Sequence, residues 1–426
     1  MNFKDFCKFQ EGYVNPSQKK PEYFDGPIKW LRATDLNNSV VFNTSKTLSQ
    51  VGFESAGKSA YLFEPNTLAI SKSGTIGRLG ILKDYMCGNR AVINIKVDET
   101  KMDSLYVFYW LLNNQAYIQD LAVGSVQKNL YVSALEKLEI KEISISEQKA
   151  IAKVLSDLDE KIEINNKINK KLEEMAQAIF KQWFVDFEFL NEDGKPYKSS
   201  GGEMVESELG MIPKGWKIGT FREFTDTVLG GDWGKETEQG NYKKEVLCLR
   251  GADIPEIKCG KIGAPAKRFI LEKNYNNKKL NGGDLVVEIS GGSPTQSTGR
   301  ITYINEGILN RYDLDFVCTN FCRAITLNNK KAMEYFYFYW SYLYDLNVFF
   351  QYENGTTGIK NFDVNTFLDK HKIIIPPNYL LEKYHLIISN ILNTIQHNGL
   401  ENSKLSNTRD ILLPKLMSGE IRVPID

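Results

Sequence analysis

Residues 146–183 read SEQKAIAKVLSDLDEKIEINNKINKKLEEMAQAIFKQW, and the spacing of their apolar side chains sets the architecture. Apolar residues recur every three or four positions, which predicts one long amphipathic helix. Ser146, with Glu147 and Gln148 behind it, is expected to cap the N-terminus of this helix. One heptad position is occupied in turn by Ile151, Leu158, Asn165, Leu172 and Ile179. The polar residue within this apolar seam indicates a position that sets register.

A second helix is predicted over about residues 380–413, and its seam repeats the first one 237 positions later. Two matching seams predict that the helices pair, and a buried Asn would fix their register at some cost in stability. The residues expected at the contact are Ile151, Leu155, Leu158, Asn165, Ile168, Ile388, Leu392, Ile395, Asn402 and Leu405. Pro414 is expected to end the second helix. If the helices run antiparallel, a globule lies at each end of a rod of roughly 60 Å.

The helices belong to a longer internal repeat that covers both halves of the chain. The recurring pairs are Phe3, Phe6 and Gly12 with Phe221, Phe224 and Gly230; Leu31-Arg32 and Asp35 with Leu249-Arg250 and Asp253; Ile70-Ser71 with Ile289-Ser290; Gly77-Arg78 with Gly299-Arg300; Tyr109-Trp110 with Tyr339-Trp340; and Lys128-Asn129 with Lys360-Asn361. Their order is kept and the offset only drifts upward, from 218 to 232. The repeat therefore predicts two related domains.

Each half shows the same order of predicted elements. Short β-type runs, SAYLF and TLAIS or DLVVEIS and RITYI, precede an aromatic helix near 103–114 or 331–345. A Gly-containing loop, an apolar strand (LEKLEIKEISI or HKIIIPP) and a long helix follow. We predict an α+β fold in which two similar globules are joined by two long antiparallel, coiled-coil-like helices in a pseudo-twofold arrangement. The predicted segments are a globule at 1–145, a helical spacer at 146–190, a linker at 191–215, a globule at 216–378 and a helical spacer at 379–426.

Composition narrows the class of protein. The 426 residues suggest two to four domains, and 42% hydrophobic with 25% charged residues indicates a globular chain. No apolar run is long enough to span a membrane, and the first residues lack a signal-peptide pattern, so we expect a cytoplasmic protein. A formal net charge of zero argues against a uniformly basic nucleic-acid coat protein.

Several tempting motifs lack the context that their chemistry needs. Residues 52–59, GFESAGKS, fit the Walker A pattern, but polar residues precede them and a strand-like run follows, so we do not expect nucleotide binding. Asp284 and Glu288 faintly resemble a nuclease metal site, without the lysine expected after Glu288. Cys318 and Cys322 form the only close cysteine pair, with the three histidines far away in sequence, so buried thiols are expected rather than a metal site. No cofactor is expected.

Six stretches carry a family resemblance: EQKAIAKVLSDLDEKIE, FKQWFVDFEF, YKSSGGEMVESELGMIPKGW, LAISKSGTIGRLGIL, GSVQKNLYVSAL and LLPKLMSGEI. With them, nearly the whole chain resembles the specificity subunit of type I restriction-modification systems. The first half has no counterpart of residues 213–216, PKGW. The resemblance implies two target-recognition domains that each read one part of a split, asymmetric DNA target. It also implies that the helices dock two modification (methyltransferase) subunits and that restriction (translocase and endonuclease) subunits join a larger complex. In such a complex the partner subunits carry the catalytic sites, and this chain has none.

Candidate DNA-binding residues are polar or basic and lie on predicted Gly-rich loops. In the first half they are Arg32, Lys72, Ser73, Thr75, Arg78, Gln127, Lys128 and Asn129; in the second they are Arg250, Ser293, Thr295, Gln296, Ser297, Arg300, Thr356, Thr357, Lys360 and Asn361. Residues shared by both halves cannot alone distinguish two half-sites, so we expect them to be framework or phosphate contacts. Residues that differ, such as Gln296, are better candidates for base readout.

Two other functions remain open at this point. One is a P-loop NTPase that uses Lys58, and the other is a coiled-coil adaptor that binds only protein.

Overall fold

The computed structural model describes residues 1–124, 128–291, 295–355 and 360–424. The chain divides into two compact units. Unit 1 comprises Met1–Lys161 with Leu405–Asp426, and unit 2 comprises Ile162–Lys404. Each unit therefore contains one globule and a part of each long helix.

Unit 1 contains eight strands and four short helices in its described globule. The strands are Cys7–Glu11 (β1), Phe24–Leu31 (β2), Ser39–Val41 (β3), Thr47–Leu48 (β4), Leu68–Ser71 (β5), Leu79–Leu82 (β6), Met86–Gly88 (β7) and Val92–Val97 (β8). The helices are Gln50–Glu54 (α1), Ser104–Asn113 (α2), Gln115–Asp120 (α3) and Val132–Leu135 (α4). One sheet has the order β1-β8-β5-β6-β3 and another has the order β4-β2-β7. The long helix Ile145–Phe180 (α5) begins in unit 1 and ends in unit 2, where a π-helical turn at Lys181–Val185 continues it.

Unit 2 contains the remaining strands. They are Met204–Ser207 (β9), Gly210–Pro213 (β10), Lys217–Thr220 (β11), Thr225–Gly230 (β12), Tyr242–Leu249 (β13), Ala266–Leu271 (β14), Leu285–Glu288 (β15), Ser290–Gly291 (β16), Ile301–Tyr303 (β17), Phe316–Cys318 (β18), Cys322–Leu327 (β19), Glu353–Asn354 (β20), Lys360–Phe362 (β21) and Lys372–Ile375 (β22). Its helices are Ile254–Lys258 (α6), Glu272–Lys278 (α7), Glu306–Leu309 (α8), Met333–Asp345 (α9) and Val364–Lys370 (α10), followed by the long helix Asn378–Ser418 (α11), which ends in unit 1.

The strand orders of the two globules confirm the α+β class and the internal repeat. The order β12-β19-β15-β17 in unit 2 matches β1-β8-β5-β6 in unit 1, and β14-β13-β18 matches β4-β2-β7. The single parallel pair of each smaller sheet is also equivalent, since β2 runs parallel to β7 and β13 runs parallel to β18. The aromatic helices α2 and α9 pack on equivalent phenylalanines: the ring centroids are 5.1 Å apart for Phe3 and Trp110 and 5.5 Å apart for Phe221 and Trp340.

In unit 2 the two long helices lie antiparallel and are held by buried amides. The Asn165 amide donates to Asn402 Oδ1 at 2.9 Å, and the Asn398 amide donates to Asn169 Oδ1 at 2.8 Å. Partner numbers fall along α11 as they rise along α5, which defines the antiparallel direction. Asn165 and Asn169 are 1% and 5% exposed. Ile168, an expected contact residue, is 42% exposed, and Asn169 faces α11 in its place.

In unit 1 the same helices are again antiparallel, since Arg409 pairs with Asp159 and Arg422 with Glu147; an ion pair joins the two helices, and a hydrogen bond joins them to the globule. Asp159 on α5 accepts from Arg409 on α11 at 2.6 Å and from the Tyr109 hydroxyl at 2.7 Å. Leu413 and Leu416 of α11 are buried in the core that also contains Ile151, Leu155 and α2. Of the other expected contact residues, Ile388, Leu392 and Ile395 are buried in unit 2, while Leu158, Asn402 and Leu405 are half-buried.

Two expectations about helix ends were wrong. Ser144, rather than Ser146, caps α5, because its hydroxyl accepts from the backbone N–H of Glu147 at 3.2 Å. Pro414 does not end α11, which continues to Ser418. A proline inside a helix removes one backbone hydrogen bond. Burial of Leu413 and Leu416 on either side offsets that loss.

Three expectations about strands and the linker also need correction. The run SAYLF contributes only an isolated bridge between Phe63 and Met86. LEKLEIKEISI forms no described strand; it has one bridge, between Asn2 and Glu139, and buries Leu135, Leu138 and Ile140 in the core. The expected linker 191–215 contains the hairpin β9–β10, and Ile212 at its end belongs to the core of unit 2.

A close backbone approach positions the second globule against α11. A Cβ added at Gly399 would lie 1.7 Å from the carbonyl oxygen of Gly260, so only glycine fits at this point of the helix. Asn169 reinforces the same junction, because its amide donates to Ile395 O at 3.1 Å and lies 3.5 Å from Cys259 O. Two helices and one loop of unit 2 therefore meet at this point.

We expect Gly399→Ala to destabilise unit 2 by about 1–3 kcal/mol, because the added methyl group forces the loop away from the helix and outweighs the helix-favouring effect of alanine. The free energy of unfolding in urea, followed by tryptophan fluorescence, measures this loss. Gly230→Ala is the matched control, since the nearest atom to its added Cβ is 3.8 Å away. Equal stability of the two variants would contradict the close approach.

An ion pair between a half-buried histidine and a buried carboxylate links α9 to α11. His385 Nδ1 lies 2.8 Å from Glu334 Oε2, and the Glu334 side chain is 1% exposed. The hydrogen bond with Glu334 raises the pKa of His385, against an opposing effect of burial and of nearby Lys331. Lys331 is itself paired with Glu382 at 2.9 Å.

The pKa of His385 is higher in the folded state than in the unfolded chain. Protonated His385 therefore contributes fully to stability below pH 6.5, the ordinary pKa, and this contribution is lost as pH rises through the raised pKa. We expect the free energy of unfolding to fall across that interval in the wild type, and His385→Gln to remove this part of the slope. His397→Gln, at an exposed position of α11, is the control. An unchanged slope in His385→Gln would contradict the assignment.

Candidate nucleic-acid interface

Three segments converge at the end of β5 in unit 1. The backbone N–H of Ser71 donates to Arg78 O at 2.9 Å, that of Lys72 donates to Ala91 O at 2.8 Å, and that of Leu130 donates to Lys72 O at 2.9 Å. Gly77 closes the loop after β5 with a φ of 83°, and its N–H donates to Ser71 O at 2.9 Å. We call this arrangement the first corner. It is defined by residues 71–78, 89–91 and 128–130.

The same hydrogen bonds recur at the end of β15 in unit 2. Glu288 N–H donates to Arg300 O, Ile289 N–H donates to Phe321 O, and Phe362 N–H donates to Ile289 O, each at 2.8 Å. Gly299, with a φ of 96°, occupies the position equivalent to Gly77. We call this the second corner, which comprises residues 288–300, 319–321 and 360–362 in so far as the structure describes them.

These bonds correct the repeat alignment in two places. Ser71 corresponds to Glu288, so Ile70-Ser71 matches Val287-Glu288 and not Ile289-Ser290. Five residues separate Ser71 from Gly77, whereas ten separate Glu288 from Gly299, so the second loop is five residues longer. Gly231, and not Gly230, takes the position of Gly12. A Cβ added at Gly12 would meet the turn before β8, and a Cβ added at Gly231 would meet the equivalent turn before β19. The matches of Gly77-Arg78 and Lys128-Asn129 stand.

The shared Arg and Asp residues form a turn. Asp35 Oδ2 accepts from the backbone N–H of Arg32 at 2.9 Å, and Asp253 Oδ2 accepts from that of Arg250 at 3.0 Å. The Arg250 guanidinium also donates to Asp253 Oδ1 at 2.9 Å and to Ala264 O at 2.6 Å. Arg32 lies over the Trp30 ring at 5.6 Å. Both arginines are thus held within their own globules.

The cations of the second corner are paired with carboxylates. Arg300 makes two bonds to Glu288, of 2.7 and 2.5 Å, and Glu288 is 5% exposed. These hydrogen bonds raise the pKa of Arg300. Lys360 Nζ lies 2.8 Å from Glu353, whose side chain is 6% exposed. Both positive charges are therefore neutralised locally.

The first corner presents its cations differently. Lys72 pairs with Glu11 at 2.9 Å, while Arg78 and Lys128 are exposed. Among the residues that the structure describes, neither of these two side chains has a carboxylate partner. Glu288 of the second corner is replaced here by Ser71, which carries no charge. The first corner is therefore the more positive of the two.

The other candidate residues are spread over both corners. Thr75, Thr295, Gln296 and Asn361 are exposed, and Ser73 and Asn129 are half-buried. Ser297 is 3% exposed, and its carbonyl accepts from the Tyr344 hydroxyl at 3.1 Å, so its side chain does not reach the surface. Gln127, Ser293, Thr356 and Thr357 lie outside the described residues.

Sequence reasoning missed residues in the turn that completes each corner. Arg90 is exposed and precedes Ala91, whose carbonyl accepts from Lys72 N–H; Asn320 and Phe321 lie at the equivalent turn, with Phe321 60% exposed. Gln115 supports the first loop by donating to Gly77 O at 2.8 Å. No loop motif marks these residues in the sequence, because they become neighbours only through the β5–β8 and β15–β19 pairing.

The rejected motifs have no supporting geometry in the described part of the chain. Residues 52–59 lie in α1 and a 3-10 turn, after the two-residue strand β4. A phosphate-binding loop instead follows a buried strand and opens a helix. Outside the undescribed positions, no three His, Cys, Asp or Glu residues lie close enough to hold a metal ion, and burial raises the pKa of Cys322 to about 11. None of the described helices could cross a membrane.

Comparisons with known proteins agree with this architecture. The model of the type I restriction modification DNA specificity domain matches residues 1–174 and 242–407. The chain is 28% identical to the type I restriction enzyme MjaIX specificity subunit of Methanocaldococcus jannaschii over 97% of this chain and 91% of that one. It is 25% identical to the HindI specificity subunit of Haemophilus influenzae over 64% and 67% of the two chains. The crystal structure of the S subunit from M. genitalium shares the fold, with a TM-score of 0.57, 18% identity and coverage of 98% and 95%.

Proposed function

Because the chain belongs to the type I restriction modification DNA specificity family, we propose that each of its two globules reads one half of a bipartite, asymmetric DNA target. The observation that carries this proposal is the duplicated corner. Both corners use the same backbone hydrogen bonds, but their loops differ in length and their side chains differ in charge. A common scaffold with different surface groups is what two readers of different sequences require.

Linking two readers also raises the affinity of the chain for DNA. One globule reaches only a few base edges in a groove, so its binding alone is weak. Two globules on one chain bind neighbouring half-sites with a high effective concentration for the second contact. The spacing between half-sites then depends on how the protein holds its readers. In this proposal the two long helices supply that spacing.

We further propose that this chain is not catalytic and that two modification subunits and the restriction subunits provide the chemistry. An apolar strip on α5 supports a protein partner for the helices. Ile164, Ile168 and Met175 are 51%, 42% and 53% exposed, and their spacing of four and seven residues places them on one helix face. Exposed apolar groups that share one face are typical of a protein interface.

A domain exchange tests the two-reader model. Replacement of residues 216–378 by the matching domain of a relative is expected to change one half of the methylated target and leave the other half unchanged. The target is measured by methylome sequencing of a host that carries the chain and its partner subunits. The matched control exchanges residues 1–145, and it should change the opposite half.

A change in both halves after either exchange would contradict independent reading. Methylation or footprint protection without any sequence preference would instead favour the adaptor that binds only protein.

A further inference from the structure

We propose that the two globules hold DNA by different means, the first through free cations at its corner and the second through neutral polar and aromatic groups. This inference rests on the proposed DNA-reading function and assigns the residues that carry it. Arg78, Arg90 and Lys128 are the phosphate contacts of the first corner. Their counterparts at the second corner do not contribute to phosphate binding.

The three cations come from different segments that meet at one place. Arg78 follows the β5 loop, Arg90 lies in the turn before β8, and Lys128 precedes the segment that bonds to Lys72. All three are exposed. In the described part of the chain, no ion pair involves any of them. Backbone hydrogen bonds join Ser71 to Arg78 and join Lys72 to Ala91 and Leu130, so the backbone that carries the three cations is already ordered before DNA binds.

The equivalent positions in unit 2 lack free charge. Arg300 replaces Arg78 and is bound by Glu288 through two hydrogen bonds. Lys360 replaces Lys128 and is paired with Glu353. Asn320 replaces Arg90. The residues just before them are equivalent, since Thr319 N–H donates to Leu249 O and Asn89 N–H donates to Leu31 O. The second corner instead exposes Phe321, Gln296 and Asn361.

One substitution between the repeats accounts for much of this difference. Ser71 bonds the backbone N–H of Arg78 at 2.9 Å and donates to the carbonyl of Thr75, so its hydroxyl is satisfied without the guanidinium. Glu288 at the same position captures the Arg300 guanidinium instead. A cation paired with a buried carboxylate adds no net positive charge to the surface, and moving it away to a phosphate would leave that carboxylate unpaired, which is costly.

Counterion release separates the two kinds of contact. Each phosphate neutralised by a free cation steepens the dependence of log K on log salt by about 0.9. The first corner is therefore expected to account for a larger part of the salt dependence than the second. Binding at the second corner is expected to rely on hydrogen bonds and apolar contacts to base edges, which carry no counterion release.

The test uses the chain assembled with its modification subunits and a duplex that carries the target found by methylome sequencing. Binding is measured over a series of salt concentrations. Arg78→Ala, Arg90→Ala and Lys128→Ala are each expected to weaken binding and to reduce the salt slope by about 0.9. The double variants Glu288→Gln/Arg300→Gln and Glu353→Gln/Lys360→Gln, which remove matched charges, are expected to leave the slope unchanged. Circular dichroism and assembly with the subunits identify any variant that fails to fold.

Unchanged slopes in all three alanine variants, or a slope reduced by about 0.9 in a folded double variant, would overturn the inference. Either result, obtained with a bipartite target in hand, leaves the two-reader model intact. The absence of any bipartite target would instead contradict the proposed function itself.

Discussion

The antiparallel contact between α5 and α11 is the constraint on which each unit depends. In unit 2, the amides of Asn165 and Asn169 are buried and bonded across the contact. In unit 1, Asp159 is bonded to both Arg409 and Tyr109. A shift of one residue would break these bonds and leave buried polar groups unpaired, at a cost of about 1–3 kcal/mol for each group. The polar residues therefore select one register, which an apolar seam alone would leave less defined.

The globules depend on the helices for their own cores. Leu413 and Leu416 of α11 complete the core of unit 1, and Ile388, Leu392 and Ile395 of the same helix are buried in unit 2. Gly399 brings the backbone of α11 into contact with the second globule at Gly260. A globule fixed to its helix in this way can transmit helix geometry to the position of its corner loops. The proposed function requires this property of each globule.

Much of the fold could be predicted because periodicity and repetition are properties of the sequence itself. The apolar seam around Asn165 predicted the two long helices, and the aromatic runs predicted α2 and α9. Other features depend on tertiary context. The backbone hydrogen bonds make Glu288 the equivalent of Ser71, two positions before the residue that the short motif suggested, and the five additional residues lie in the loop that follows. The charge of Arg300 is cancelled by a residue twelve positions earlier, and that pair forms only when the loop folds back.

The same reasoning explains why the candidate site was only partly predicted. Gly-rich loops marked Lys72, Arg78 and Lys360, but no local pattern marked Arg90 or Phe321, whose turns join the corners through sheet pairing. Pro414 shows the opposite error. A strong local rule predicted a helix end, and burial of the neighbouring leucines outweighed it.

The most direct test of whether the helices set the spacing between half-sites is to lengthen both of them by one turn, after Ile162 and after Lys404. Matched insertions keep the register of the Asn165–Asn402 contact. One turn adds about 5.4 Å, or at most about two base pairs of duplex. If the paired helices set the distance between the readers, methylome sequencing will show the same two half-sites with an altered gap. An unchanged gap in a complex that still methylates its target would contradict that role for the helices.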